Sequence, residues 1–261
     1  MAPGWRSLTF LGCDGSYPGP GGAASGSLVE ASGVVIWLDA GSGTFANLQL
    51  VLEPERVDAI VISHEHPDHW SDIDSFAVWR RQRGQGPPVP VYAPPGLQAR
   101  SYLGDDAVLA WHEIEPSQRV VLSARDGVGT TLVCSFASTD HGAPTLALRV
   151  DLQGQPPGSR PPSSIAYTAD TGPGWSPEEL GPGIGLLPDV LAAEATRRLA
   201  ARCARLFPAG SSSGDGSPAF GPSLHAHGPH RRGHRYGPYA RDLYALGPRR
   251  RAHRRGPHRQ G

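Results

Sequence analysis

The sequence predicts an α/β fold in which β-sheets pack on one another under a cover of helices, and three observations carry that expectation. Short segments rich in Val, Ile and Leu succeed one another through residues 1–196. Gly, Pro, Asp or Ser bounds each segment, as turn residues bound strands. Two longer segments between them place their apolar residues at helical spacing instead. Sheets and helices each have an apolar face to bury, and stacked layers satisfy both.

In chain order the predicted strands are Leu8–Gly12, Ser27–Ala31, Val34–Asp39, Val57–Ser63, Val89–Ala93, Arg119–Ser123, Thr131–Ala137, Leu146–Leu152, Ser164–Ala169 and Asp189–Glu194. The predicted helices are Thr44–Leu52, where Phe45, Leu48 and Val51 share a face, and Asp72–Arg83, where Ile73, Phe76 and Ala77 do so. Past Arg197 the chain changes in kind. Residues 197–261 contain neither Val nor Ile, and Gly, Pro, Arg and His dominate them. Such a segment buries too little apolar area to offset the entropy of ordering it, so a disordered tail is expected there. The domain boundary is accordingly set between 1–196 and 197–261.

Composition narrows the function. The net charge of zero averages two unlike segments: 14 Arg against two acids in 197–261, and 10 Arg against 22 acids before it. All the basic residues are Arg. Three widely spaced cysteines, Cys13, Cys134 and Cys203, give neither a disulfide framework nor a Cys-based metal site. Cys13 and Cys134 are expected to be buried, inert thiols. The opening Met-Ala-Pro-Gly-Trp-Arg lacks the apolar run of a signal peptide, and no stretch reaches the roughly 18 apolar residues of a membrane span, so a cytoplasmic location is expected.

The chemistry concentrates in one hexapeptide. The strand ending at Ser63 runs directly into His64-Glu65-His66-Pro67-Asp68-His69. Neutral imidazoles and carboxylates are good ligands for zinc and neighbouring divalent ions. Histidines two apart on an extended backbone can converge on one ion, while Asp68 and His69, beyond the bend at Pro67, can address a second. A His-rich surface turn would show the same residues, but not in this spacing behind a buried strand.

This pattern resembles the signature of the metallo-β-lactamase superfamily, and the resemblance extends over residues 7–196. Leu38-Asp39-Ala40-Gly41 is similar to the family's Asp-x-Gly turn, whose aspartate orients the metal-binding loop by hydrogen bonds. Asp140-His141-Gly142 is similar to the segment supplying an isolated histidine ligand, and Tyr167-Thr168-Ala169-Asp170-Thr171-Gly172 to the one whose aspartate bridges both metals. The opening Leu11–Pro18 and the stretch Glu194-Ala195-Thr196 resemble the branch that includes ribonuclease Z and cyclic-nucleotide phosphodiesterases, although Ala193 stands where that branch often has His.

The resemblance implies a four-layer αββα sandwich, lacking its last elements. It implies two divalent ions: His64, His66 and His141 on the first, Asp68 and His69 on the second, Asp170 between them. Zinc is the default for such ligands, and manganese or iron fits them as well. The implied chemistry is hydrolysis by metal-activated hydroxide, with Asp68 taking the water's proton and Glu194 the remaining candidate proton donor. Phosphodiesters, either RNA ends or cyclic nucleotides, are the implied substrates, and thioesters, lactones and β-lactams use the same kind of site. No membrane partner is implied, and a homodimer is compatible with the family.

The family's last histidine ligand has no counterpart after Thr196. His225 and His227, in Leu-His-Ala-His-Gly, follow no apolar strand, and His112 lacks motif context and is expected to be structural. The abrupt change at Arg197 fits a shifted reading frame or a strongly diverged tail. A different class of protein fits the same facts: a degenerate, non-catalytic chain whose basic tail binds nucleic acid in a salt-dependent manner.

Overall fold

The structure is a computed structural model that describes residues 5–83, 86–102, 107–123, 129–154, 164–180, 190–195 and 242–246. Two six-stranded sheets face each other. The first contains β1 (Trp5–Gly12), β2 (Gly26–Ala31), β3 (Val34–Leu38), β4 (Ala59–Val61), β5 (Val89–Ala93) and β6 (Leu109–Glu113), adjacent in that order. Its hairpins β1–β2 and β2–β3 are antiparallel, and β3 through β6 are parallel. The second contains β7 (Arg119–Ser123), β8 (Thr131–Ser138), β9 (Leu146–Gln153), β10 (Ser164–Tyr167), β11 (Val190–Ala195) and β12 (Asp242–Leu246), again adjacent in chain order.

Strand periodicity sets the layers. On β9, Leu146, Leu148, Val150 and Leu152 share one face and meet Val29, Ile36 and Leu38 of the first sheet in the core between the sheets. The other face of the first sheet, with Val35, Trp37 and Ile60, is covered by α1 (Thr44–Val51) and α2 (Ile73–Arg83) through Phe45, Leu48, Ile73, Phe76 and Ala77. Trp37 meets Phe76 edge-on at 5.7 Å between ring centres, a favoured aromatic geometry that fixes α2 against the sheet. Both predicted helices are therefore present: α2 buries the face its spacing marks, whereas on α1 Phe45 and Leu48 are buried and Val51, the third residue of the expected face, is exposed. The mixed α/β architecture and the paired sheets agree with the expected fold. Among the described residues no α-helix covers the outer face of the second sheet, and none is long and apolar enough to cross a membrane.

Departures from expectation have local causes. β3 stops at Leu38 and β10 at Tyr167 because Asp39 and Ala169 each take the left-handed conformation, with φ of 53° in both. That turns the chain out of the sheet directly before a chemically important loop. β6 was not anticipated: only Leu109 on it is fully buried, so Ala-Trp-His-Glu shows no strand period. Asp242–Leu246 lies within the segment expected to be a disordered tail. This apolar run, Leu-Tyr-Ala-Leu, pairs antiparallel with β11, whose backbone groups supply the hydrogen bonds. The rest of 197–261, including His225 and His227, lies outside the described residues. Cys134 is buried as expected, and burial pushes its thiol up to about 12. Cys13 is exposed instead, because it sits beyond the end of β1 in the opening loop.

Candidate metal centre

Four segments meet where β3, β4, β8 and β10 end. The turn at Asp39–Gly41 follows β3, and the hexapeptide His64–His69 follows β4. The loop carrying His141 follows β8, and that carrying Asp170 follows β10. Ligand sites in open α/β sheets favour the carboxyl ends of parallel strands, where loops leave the backbone ladder and side chains can converge.

Backbone contacts hold the hexapeptide against the Asp39–Gly41 turn. Pro67 opens a 3₁₀ turn over Pro67–His69, and His69 N–H donates to the His66 carbonyl at 2.9 Å. Ala40 N–H donates to the His69 carbonyl at 2.6 Å, and Ser25 N–H to the Asp68 carbonyl at 3.1 Å. A Cβ on Gly41 would overlap that Asp68 carbonyl oxygen and lie 2.8 Å from the Ser25 oxygen, so the Asp-x-Gly turn needs its glycine for close approach. Asp72 ties the loop to α1 by accepting from Phe45 N–H at 2.8 Å. On the far side, Thr139 donates to the Asp170 carbonyl at 2.7 Å and Trp175 Nε1 to the Ser138 carbonyl at 2.9 Å, joining the His141 and Asp170 loops.

The side chains form two adjoining groups. In the first, ligand atoms of His64, His66, His141 and Asp170 all lie within 4.8 Å of one another. His66 Nδ1 is 3.0 Å from His64 Nε2 and 3.2 Å from His141 Nε2. Nitrogens on a tetrahedral zinc ion, at roughly 2.0–2.1 Å from it, stand about 3.3 Å apart, so this spacing is close to a coordination edge. In the second group His69 Nε2 lies 3.6 Å from Asp68 Oδ2 and 3.2 Å from Asp170 Oδ1. Asp170 thus divides its oxygens. Oδ1 faces His69, while Oδ2 is 4.0 Å from His64 Nε2 and 3.8 Å from His141 Nε2.

The ring nitrogens are sorted by a network beneath them. Asp39 is fully buried, and its Oδ1 accepts from Ser63 N–H at 2.7 Å. Its Oδ2 accepts from Ser63 Oγ at 2.9 Å, from His69 Nδ1 at 2.7 Å and from the Tyr167 hydroxyl at 2.7 Å. With its own proton given to Asp39, Ser63 Oγ can accept from His64 Nδ1, 3.0 Å away. Both rings therefore present Nε2 to the site, and His69 Nε2 is buried with no hydrogen-bond partner of good geometry among the described residues. An orphaned buried nitrogen between two carboxylates is a place for a cation. The residues present fit divalent metal ions.

The electrostatics agree. Burial first, then the neighbouring His69, hold His64 down to about 3, so its ring is neutral and able to ligate. For His69 burial opposes the charge, but Asp39 and Asp170 overcome it and raise the ring to about 10. Burial and the Asp39 charge hold the Tyr167 phenol well above its usual range, so it remains a donor.

The sequence-predicted residues His64, His66, Asp68, His69, His141 and Asp170 are thus brought to one place, with Asp39 directly beneath. Glu194 lies on β11 opposite Leu243, and its side chain is outside the described part of the structure. His112 is on β6, stacked on Tyr92 at 5.2 Å, away from this group. Ser63 and Tyr167 were missed as members of the network. Ser63 directly precedes His64, which is its one local signal, whereas nothing in the sequence near Tyr167 announces a partner 128 residues earlier.

The chain belongs to the β-lactamase superfamily: residues 35–202 match the family described as the beta-lactamase superfamily domain. It is 31% identical over 178 residues to the protein Rv1339 of Mycobacterium tuberculosis, covering 63% of this chain and 60% of that protein. It is 27% identical over 202 residues to ribonuclease Z of Mycobacterium avium, covering 69% and 68%. Among solved structures, the metallo-β-lactamase fold protein YhfI from Bacillus subtilis matches with a TM-score of 0.52 and 25% identity over 65% of this chain and 63% of that one. A long-form RNase Z from yeast shares the fold, with a TM-score of 0.55 at 16% identity over 76% and 33%. The chain spans about 60% of the length of the curated relatives typified by Rv1339.

Proposed function

We propose that this chain is a hydrolase of phosphodiesters, RNA ends or cyclic nucleotides, that works with two divalent ions. His64, His66 and His141 would hold one ion, Asp68 and His69 the other, and Asp170 both. The observation that carries this reading is the division of Asp170 between its two neighbours, one oxygen toward His69 and the other toward His64 and His141. A carboxylate so placed suits metals about 3.5–4 Å apart. When bound, such ions act as Lewis acids and lower the pKa of water toward neutrality. Zinc is the proposed metal, and the cytoplasm the proposed location.

The chain's own residues then have separable roles. Asp68, buried with its carboxylate beside His69, accepts a proton from the attacking water. Asp39 and Ser63 hold His69 and His64 with Nε2 facing the site. Glu194, on the strand beside β10, is the proposed proton donor to the leaving oxygen. The preference for phosphodiesters is supported by the likeness to ribonuclease Z of Mycobacterium avium.

The test is metal content by plasma mass spectrometry together with turnover of bis(p-nitrophenyl) phosphate. Two ions per chain and turnover reduced by at least about a hundredfold in Asp68→Ala support the reading. A zinc- or manganese-loaded chain that hydrolyses no faster than buffer overturns it.

A further inference from the structure

The ligands come from both sheets. His64, His66, Asp68 and His69 hang from the end of β4, whereas Asp170 follows β10 and His141 follows β8. The 3.2 Å approach of His69 Nε2 to Asp170 Oδ1 therefore depends on how the sheets are held at this end. A backbone bond, Leu146 N–H to the Ser63 carbonyl at 3.0 Å, does this near the His64 side. On the His69 side the link is a side chain. Tyr167, the last residue of β10, reaches across and donates to Asp39 Oδ2 at 2.7 Å.

We propose that Tyr167 is a positioning residue for the metal centre: its phenol fixes the Asp39 carboxylate from the opposite sheet and thereby sets His69 against Asp170. This rests on the dinuclear reading above. Asp39 is held at Oδ1 by Ser63 N–H, which leaves rotation about its carboxylate to be decided at Oδ2. There the donors are Ser63, directly before the hexapeptide, His69, its last residue, and Tyr167, which alone among the four bonds comes from the second sheet. The phenol is itself constrained. Ser25 Oγ lies 3.2 Å from it and can donate to its lone pair, while Ser25 N–H and C=O are bonded to Asp68 and Gly41. Three residues beyond Tyr167, the same chain delivers Asp170. One side chain thus ties the carboxylate that orients His69 to the strand that carries the bridging aspartate. Tyr167 is buried, and its role is to act through Asp39.

The experiment is zinc titration of the full metal-stripped chain against a chromophoric chelator, for the wild type, Tyr167→Phe and Ser25→Ala, with cobalt absorption spectra as a second readout. Phe keeps the ring and removes one hydroxyl. Substitution of residues that orient ligands typically costs 10–100-fold in metal affinity. One bond further out, Tyr167→Phe is expected to weaken the second ion about tenfold, with the first changed less than twofold. Its cobalt band at the second site shifts, and turnover is rescued by excess zinc. Ser25→Ala moves the same step by a smaller factor. A role in packing alone would lower the melting temperature and leave both binding steps alike. A wild type with two ions and a Tyr167→Phe variant with unchanged stepwise affinities overturns the inference and leaves the dinuclear reading standing. A wild type that takes up only one ion overturns both.

Discussion

His69 Nδ1 lies 2.7 Å from Asp39 Oδ2, and its Nε2 lies 3.2 Å from Asp170 Oδ1, so one imidazole spans the carboxylate beneath the site and the carboxylate inside it. The first contact decides the second. With Nδ1 donating to Asp39, Nε2 is the nitrogen that faces the centre, where it carries either a proton or, once that proton is displaced, a lone pair for a metal.

Removing that anchor has a calculable effect. Asp39→Ala removes the acceptor shared by Ser63, His69 and Tyr167, and their buried donors must find poorer partners or none. Each such group costs on the order of 1–3 kcal/mol, and partial relaxation brings the expected loss to about 3 kcal/mol. For a domain of this size that is a fall of roughly 6–12 °C in melting temperature. Metal content should fall as well, the His69 site first. Calorimetry of the metal-free variant measures the first effect and mass spectrometry the second. A variant that melts within a degree of wild type would show that the network contributes nothing.

How much of this centre was legible beforehand follows from sequence distance. The hexapeptide declares itself because its ligands are local: two-residue spacing on an extended chain followed by Pro67 is a complete geometric statement. Asp39, His141 and Asp170 could be placed only through the order of family motifs, since a single Asp or His in a turn has many ordinary uses. Tyr167 was invisible. Its partner lies on the other sheet, and an apolar strand ending in Tyr looks complete without one. The same limit applies to the fold. α2 shows its face in the spacing of Ile73, Phe76 and Ala77, whereas β6 borrows its identity from β5 alongside it. β12 likewise depends on the ladder offered by β11, which no local property of an Arg-rich segment could announce.

The pH dependence of the metal-stripped protein should be a peak. Burial and His69 hold His64 at about 3, against 6.5 for a free ring. Between those values the unfolded chain binds a proton that the folded one refuses, so stability falls as pH drops. His69 is raised from 6.5 to about 10, burial opposing the shift and the two aspartates driving it. Its contribution is complete below 6.5 and is lost as pH rises through 10. Thermal melts in EDTA from pH 4 to 10 should therefore peak near 6.5. Added zinc should flatten the alkaline arm, because the metal replaces the Nε2 proton that faces Asp68 and Asp170. Melting temperatures that rise steadily from pH 6 to 9 in EDTA would contradict this.

Ala169 tests the backbone strain beside the site. It is fully buried in the core between the sheets, precedes Asp170 and has a φ of 53°. A residue with a Cβ pays roughly 1–2 kcal/mol for that conformation. Glycine removes the strain but adds about 0.4–1 kcal/mol of unfolded-state entropy and forfeits about 0.8 kcal/mol from the buried methyl. Ala169→Gly should therefore change stability by less than about 0.5 kcal/mol, whereas Ala169→Val, branched at Cβ, should destabilise by about 2 kcal/mol or more and move Asp170. Urea melts of the pair decide it. A Gly variant as unstable as the Val variant would mean that strain at Ala169 is not the controlling quantity.

Gly41→Ala tests the turn that supports the hexapeptide. The added methyl would occupy the place of the Asp68 carbonyl oxygen, with the Ser25 carbonyl 2.8 Å away. Both obstacles are backbone and cannot swing aside as a flexible side chain would. The Asp68 carbonyl accepts from Ser25 N–H, so the clash drives Asp68 and His69 off the turn that seats them. A loss of about 2–3 kcal/mol is expected, together with loss of the ion at the His69 side before that at the His64 side. Gly142→Ala is the control for stability. Gly142 neighbours His141 but has nothing within 4 Å of a new Cβ and no positive φ, so its melt should move by less than about 0.5 kcal/mol. Equal melts for the two variants would mean that the close approach at Gly41 is not what holds the loop. An intact Gly41→Ala fold that has lost only the second ion would locate the role of the Asp-x-Gly turn in seating Asp68 and His69.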